Sequence, residues 1–258
     1  MSRIIDKLKL ASQAAPQPMG FRMAQPVSPK PKLLLIANLT QVNVDDLTNY
    51  VAGADGGLLY LHQSSEAKVL KKVSQAIPDL PWGVWLKGSE QAEIKQMVEA
   101  SCDFVVFPAK TSLAILHNDA VGKILEVEAS LNDGLLRAIN ELPVDAVLID
   151  GKTGEDYFLT WHDLMLFQHC ANLLAKPLLV SIPSNASDNE LQALWEAGVD
   201  GVIIKVETGQ PAGRVSQLRQ AIDKLTFPPQ RKQRKAEALL PYIGHERATV
   251  TEEEEEEE

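Results

Sequence analysis

The sequence predicts an α/β fold, a (β/α)8 TIM barrel with a proline-rich N-terminal arm and a disordered acidic C-terminal tail, on three observations. Eight short apolar runs alternate with stretches of helical periodicity between residues 32 and 227, the pattern of parallel strands joined by crossover helices. The chain is 45% hydrophobic but only 5% aromatic, and its Ala, Leu, Val and Ile suit helices packed on parallel strands better than an antiparallel sandwich. The third observation is a weak internal repeat. In "VAGADGGLLY", "EASCDFVVF", "LPVDAVLI" and "EAGVDGVII" a helix ends and an aspartate (Asp55, Asp103, Asp145, Asp200) precedes an even-numbered strand. Successive βαβα quarters of a barrel produce such a repeat. An open doubly wound sheet is the second choice, and the G-x-G-x-x-G turn that would favour it is not found.

Residues 1–31 open with a short amphipathic helix and continue as "PQPMGFRMAQPVSPKP", whose five prolines in sixteen residues deny both helix and central strand. This reads as an arm. "SRIIDKLKLASQ" interleaves charges with its apolar residues and is not read as a secretory leader. The eight strands of the barrel, 32–227, are "KLLLIAN" (32–38), "GLLYLH" (57–62), "WGVWLK" (82–87), "DFVVFPA" (103–109), "KILEVEA" (123–129), "DAVLIDG" (145–151), "PLLVSIP" (177–183) and "GVIIKVE" (201–207). Between them lie helices such as "SSEAKVLKKVSQAI" and "SDNELQALWEAG", where Ser64 or Ser65 and Ser187 or Asp188 are placed to cap the first free amides. "GRVSQLRQAIDKL" closes the circuit. Residues 228–258 join a basic cluster, Arg231, Lys232, Arg234 and Lys235, to seven consecutive glutamates. They read as a charged, solvated tail.

That tail distorts the overall charge. The chain carries a formal −10, but seven of those charges are Glu252 to Glu258, which leaves the body near −3. A body without basic excess has no general nucleic-acid surface. No apolar run approaches the roughly 18 to 20 residues of a membrane span, so a cytoplasmic protein is expected. Cys102 and Cys170 show no C-x-x-C spacing and read as reduced, buried thiols. His62, His117, His162, His169 and His245 have no H-x-x-x-H or H-x-H spacing, so no metal is expected. His162 and His169, seven apart, read as a stripe on one helix. "DGKTGEDYF", after the sixth strand, lacks the first glycine of a phosphate loop but suits a lid.

Strand parity supplies the candidate site. In "GVIIKVE" the β-branched Val202, Ile204 and Val206 face the helices, which leaves Gly201, Ile203, Lys205 and Glu207 facing into the barrel. The same rule puts Asn38, His62 and Lys87 at the inward ends of strands one to three. Glu126 and Glu128 fall on strand five, Asp150 on strand six and Ser181 on strand seven. Chemistry in such barrels is built from the carboxyl ends of several strands. Lys87, Glu126, Asp150 and Lys205 are the candidate catalytic set, because a buried lysine needs a carboxylate partner and a desolvated lysine near another cation becomes nucleophilic. Asn38, His62, Glu128, Ser181 and Glu207 are candidates for holding substrate. Gly209, Gly213 and Arg214 lie before the last helix, where amides and a guanidinium suit an anion.

"KILEVEASLNDGLLRAI", "VDAVLIDG" and "EAGVDGVIIKVE" together resemble the later strands of quinolinate phosphoribosyltransferases, which have a similar Glu-Val-Glu strand and an aspartate closing the next. Lys87 with Glu126 is similar to the lysine and glutamate that act as acid and base in indole-glycerol-phosphate synthases. Each resemblance covers under half of the chain. Both families hold phosphate through glycine turns after strands seven and eight. Here the seventh turn, "SIPSNASDNE", has no Gly-Gly, whereas the eighth, "ETGQPAGR", keeps Gly209, Gly213 and Arg214. The phosphoribosyltransferases' separate N-terminal domain has no counterpart in these residues. The resemblances imply aldolase-type or phosphate-binding barrel ancestry and leave the activity open.

The expectation is therefore an aldolase-type barrel enzyme, of lyase or transferase class, acting on a small carboxylated or phosphorylated metabolite. No cofactor is specified. The alternative is a non-catalytic barrel that binds a ligand, a protein partner or another copy of itself.

Overall fold

The computed structural model describes residues 2–12, 32–40, 47–61, 67–86, 102–113, 121–151, 157–207 and 213–226. Eight parallel strands form one closed barrel in chain order. They are β1 (Leu34–Thr40), β2 (Gly56–Leu61), β3 (Trp82–Leu86), β4 (Phe104–Pro108), β5 (Gly122–Val127), β6 (Ala146–Ile149), β7 (Leu178–Ile182) and β8 (Gly201–Glu207). Described helices are α1 (Arg3–Ser12), α2 (Leu47–Val51), α3 (Ala67–Ala76), α4 (Asp133–Ile139), α5 (Trp161–Leu173), α6 (Asp188–Ala197) and α7 (Arg214–Lys224). The β1–β8 ladder, Leu34 on Gly201 through Thr40 on Glu207, closes the circuit. This is the (β/α)8 barrel and not the open sheet.

Local chemistry explains the helix starts. Ser187 accepts from the Glu190 amide while the Glu190 carboxylate accepts from the Ser187 amide, a reciprocal cap on α6. Thr160 and Asp163 build the same box on α5. Helix α6 stops at Gly198, whose φ of 101° is left-handed and suits glycine. No helix among the described residues is long and apolar enough to cross a membrane.

The apolar residues separate into two shells. Val202, Ile204 and Val206 belong to the shell between strands and helices. Ile203 belongs to a second cluster inside the barrel, with Leu34, Ile36, Leu58, Phe104, Val106, Ile124, Ala146, Leu148 and Leu179. Inward side chains of a tilted barrel form layers drawn from alternate strands. The registers stack them from the amino end as Gly56, Phe104, Ala146 and Gly201, then Ile36, Gly83, Ile124 and Leu179, then Leu58, Val106, Leu148 and Ile203. Gly83 is small for a reason of close approach: a Cβ there would sit 2.3 Å from the Phe104 ring.

The amino end of the barrel is closed by α1. The sequence assigns this helix to an arm; the structure inserts its Ile4, Ile5 and Leu8 into the same cluster as the barrel interior. The small residues of the lowest strand turns make room. A Cβ on Gly122 would meet Ile5 at 2.4 Å, and one on Gly56 would meet Ile4 at 3.1 Å. Residues 13–31 of the arm and the tail, 228–258, lie outside the described residues.

The aspartate repeat has a structural explanation at this end. Asp55 accepts the Leu35 amide through Oδ2 and returns its own amide to the Leu35 carbonyl. Asp145 does the same with Lys123, and Asp200 with Leu178. Each clamps an even strand to the odd strand before it. Asp103 departs from the pattern. Its amide bonds to the Trp82 carbonyl, but its carboxylate turns to α1 and accepts from Ser2 Oγ at 2.8 Å, the Arg3 amide at 2.8 Å and the Ile4 amide at 3.0 Å. A carboxylate at the positive end of a helix is favourable. Asp103→Ala is therefore expected to cost about 1 to 2 kcal/mol in urea unfolding. It is also expected to be non-additive with a core substitution in α1. Strict additivity of the two would show that Asp103 does not act through the helix.

Candidate functional site

Above the third apolar layer the interior changes character. The fourth layer is Asn38 from β1, Trp85 from β3, Glu126 from β5 and Ser181 from β7. The fifth is Tyr60, Pro108, Asp150 and Lys205, from the even strands and the residue following β6. Polar groups thus occupy the carboxyl-end mouth, and the opposite end is occupied by α1.

The fourth layer is divided. On one side the Trp85 indole Nε1 donates to Glu126 Oε2 at 2.7 Å, and the Tyr60 ring meets Trp85 edge-on with centroids 5.9 Å apart. Such edge contacts are favourable beyond the area they bury. On the other side lie Asn38 and Ser181, 8% and 4% exposed. Asn38 Oδ1 and Ser181 Oγ are buried and have no hydrogen-bond partner among the described residues. Lys205 projects from β8, between β7 and β1, one layer higher, and pairs in register with Asn38. Its side chain is exposed, as are those of Asp150 and Glu128.

The candidate residues therefore separate into groups. Asn38, Glu126 and Ser181 share one layer, with Asp150 and Lys205 above them. Lys87, His62 and Gly209 lie outside the described residues, as does the side chain of Glu207 at the end of β8. Gly213 is the N-cap of α7, with a left-handed φ of 95° and no side-chain cap. Arg214 is committed locally: its guanidinium donates to the Ser184 carbonyl at 2.5 Å, to the Ala186 carbonyl at 3.1 Å and to Gln217 Oε1 at 3.2 Å. It ties the turn after β7 to the start of α7, so an anion would have to share it with those acceptors.

Trp85 and Tyr60 are site residues that sequence reasoning missed. The signal was available, since Trp85 stands two residues before Lys87 in "WGVWLK" and so shares its parity. At the lip, Tyr157 donates to Asp163 at 2.5 Å. Burial and that carboxylate push the tyrosine up to about 12. For Asp163 burial acts upward, but the hydrogen bonds from Thr160 and Tyr157 prevail and hold it below the usual carboxylate range. The pair fastens the start of α5 and does not reach the mouth layers. His162 and His169 are both exposed on α5, and His169 meets Asp133 at 2.9 Å. The thiols offer no nucleophile: both are buried and unpaired, and burial pushes Cys102, at the amino end of β4, up to about 12. Among the described residues no cluster of three His, Cys, Asp or Glu side chains is arranged to hold a metal ion.

No family model matches the chain, and no curated protein matches it. Solved structures do match. Thiamine phosphate pyrophosphorylase from Pyrococcus furiosus superposes with a TM-score of 0.57 at 14% identity, over 75% of this chain and 96% of that one. Orotidine 5'-phosphate decarboxylase from Pyrococcus horikoshii gives 0.58 at 12% identity, over 74% and 100%. A mutant tryptophan synthase alpha-subunit from Pyrococcus furiosus gives 0.55 at 9% identity, over 75% and 97%. At such identities the likeness establishes the (β/α)8 barrel fold and leaves the activity to the site itself.

Proposed function

We propose that the chain is an enzyme that acts on a small carboxylated or phosphorylated metabolite at the carboxyl-end mouth of the barrel. One observation carries the reading: the interior passes from a wholly apolar layer, Leu58, Val106, Leu148 and Ile203, to one containing Asn38, Glu126 and Ser181. A barrel filled only for stability has no need of that change, because branched apolar side chains fill such layers without desolvation cost. The names of two structural neighbours carry a phosphate ester, which supports an anionic substrate.

In this reading Lys205 receives the negative end of the substrate and acts as electrophile or imine-forming amine, with Lys87 as the second candidate for that part. Glu126 and Asp150 are the carboxylates that exchange protons with it. Glu126 suits that part because the Trp85 indole holds one of its oxygens in place. Asn38 and Ser181 position the substrate. His62, Glu128, Glu207, Gly209, Gly213 and Arg214 are further candidates for holding the substrate.

The test is binding and trapping. Inorganic phosphate and pyruvate are titrated calorimetrically against the wild type, Lys205→Met and Lys87→Met, and borohydride is added with pyruvate. Loss of a charge-assisted contact is expected to weaken binding by about 1.5 to 3 kcal/mol, or one to two decades. Unchanged affinity in both variants, with no reduced adduct in the wild type, removes the lysine site. Binding without turnover across a panel of keto acids and sugar phosphates gives the non-catalytic barrel instead.

A further inference from the structure

The buried acceptor Asn38 Oδ1 and the buried hydroxyl Ser181 Oγ, both without partners among the described residues, stand on β1 and β7, on either side of β8 and below Lys205. We propose that this pair is a hydroxyl-recognising floor beneath the anion end of the mouth, so that the natural ligand is a hydroxylated small anion, a polyol phosphate or a hydroxy acid. The inference rests on the anionic-substrate reading above and adds the chemistry of the ligand's other end.

The argument is one of donors and acceptors. Asn38 Oδ1 only accepts, whereas a serine hydroxyl donates one hydrogen and accepts others. A carboxylate or phosphate oxygen only accepts, so it leaves Asn38 Oδ1 unsatisfied. An ammonium only donates, so it leaves the Ser181 hydrogen unused. An alcohol does both: its hydrogen goes to Asn38 Oδ1 and its oxygen takes the hydrogen of Ser181 Oγ. The two residues are 8% and 4% exposed, at a depth where an unmet polar atom is costly to the fold. Directly above, Lys205 is in register with Asn38 and supplies the charge for the ligand's anionic end. The far side of the same layer is filled by the Trp85–Glu126 hydrogen bond, which directs a ligand to the Asn38 and Ser181 side.

The experiment compares ligands that differ only in hydroxyls. Glycerol 3-phosphate is titrated against n-propyl phosphate, and glycerate against propanoate, with the wild type, Ser181→Ala and Asn38→Ala. The expected result is about a tenfold preference for the hydroxylated member of at least one pair, abolished in both variants, while the affinity for its hydroxyl-free partner is unchanged. The pair that shows the preference tells phosphate from carboxylate. Equal affinity within both pairs, with binding retained, overturns the hydroxyl floor and leaves the anion reading standing. No binding of any of the four overturns both. A second measurement uses the unliganded protein. If the hydroxyl awaits a ligand, Ser181→Ala leaves Tm unchanged or raises it by about 2 to 4 °C, because an unmet polar group is removed. A fall in Tm of that size shows that Ser181 serves the fold through a structural water, and overturns the proposal.

Discussion

Leu8→Ala is expected to destabilise the protein by about 3 to 5 kcal/mol, the cost of cutting a large side chain from a core that cannot collapse around the gap. Leu8 is fully buried, in the same cluster as the barrel's interior layers. The glycines and Ala146 beneath the first full layer were small before the change, so no neighbouring side chain extends into the vacated volume. For a domain of this size the loss corresponds to a fall in Tm of roughly 6 to 20 °C. Leu10 supplies an internal control, since it is on the same helix but 52% exposed. Leu10→Ala should change stability by less than about 0.5 kcal/mol. Chemical denaturation of the two variants beside the wild type checks the result, and equal, small effects at both positions would mean that α1 is not part of the core.

Trp85→Ala is expected to have a cost of similar size, about 3 to 5 kcal/mol from lost volume. It would also remove the indole hydrogen from Glu126 and the edge contact with Tyr60. Trp85→Phe separates these contributions. It keeps most of the ring volume and deletes the donor, and should cost about 1 to 3 kcal/mol, the worth of a part-buried hydrogen bond to a carboxylate. The functional consequence differs as well. If Glu126 exchanges protons with a lysine-bound substrate, the Phe variant releases the carboxylate from its fixed orientation, and kcat should fall while anion affinity is kept. A Trp85→Phe protein as stable as the wild type would show that the hydrogen bond contributes nothing to the mouth.

The order of strands was legible because a parallel strand covered on both faces must read as an uninterrupted apolar run, and eight such runs stand in the chain. Parity within a run was legible for the same reason. Val202 and Ile203 are equally apolar, but only one arrangement puts the charge of Lys205 at an open end, and they lie in the two different shells. The place of α1 was not legible. An amphipathic helix followed by prolines looks the same whether its apolar side meets solvent, a partner or the floor of its own barrel. The information lay in Gly56 and Gly122, whose smallness acquires meaning only when Ile4 and Ile5 are seen against them. The aspartate repeat was visible as a repeat, but its clamp geometry depends on backbone amides, which leave no trace in side-chain pattern. In the site, polar strand ends were easy to find, whereas Trp85 was passed over because tryptophan in a strand normally signifies core. Arg214 invited an anion from its neighbours Gly209 and Gly213, and nothing local revealed the carbonyls of Ser184 and Ala186 that it holds.

The position of α1 also sets a timetable for synthesis. Its residues are synthesised long before the groups that receive them: Ser2 bonds to Asp103, 101 residues on, and Lys9 to Asp145, 136 residues on. At about 5 to 20 residues per second, roughly 7 to 27 s separate the emergence of Lys9 from that of Asp145. The strand that seals the cylinder against β1 is β8, near the end of the circuit. For that whole interval the surface that covers Ile4, Ile5 and Leu8 is incomplete, since Ala146, Leu148, Leu179 and Ile203 of the same cluster are still to come. The nascent chain therefore carries an adhesive apolar helix until the sixth strand arrives and the helix can seat.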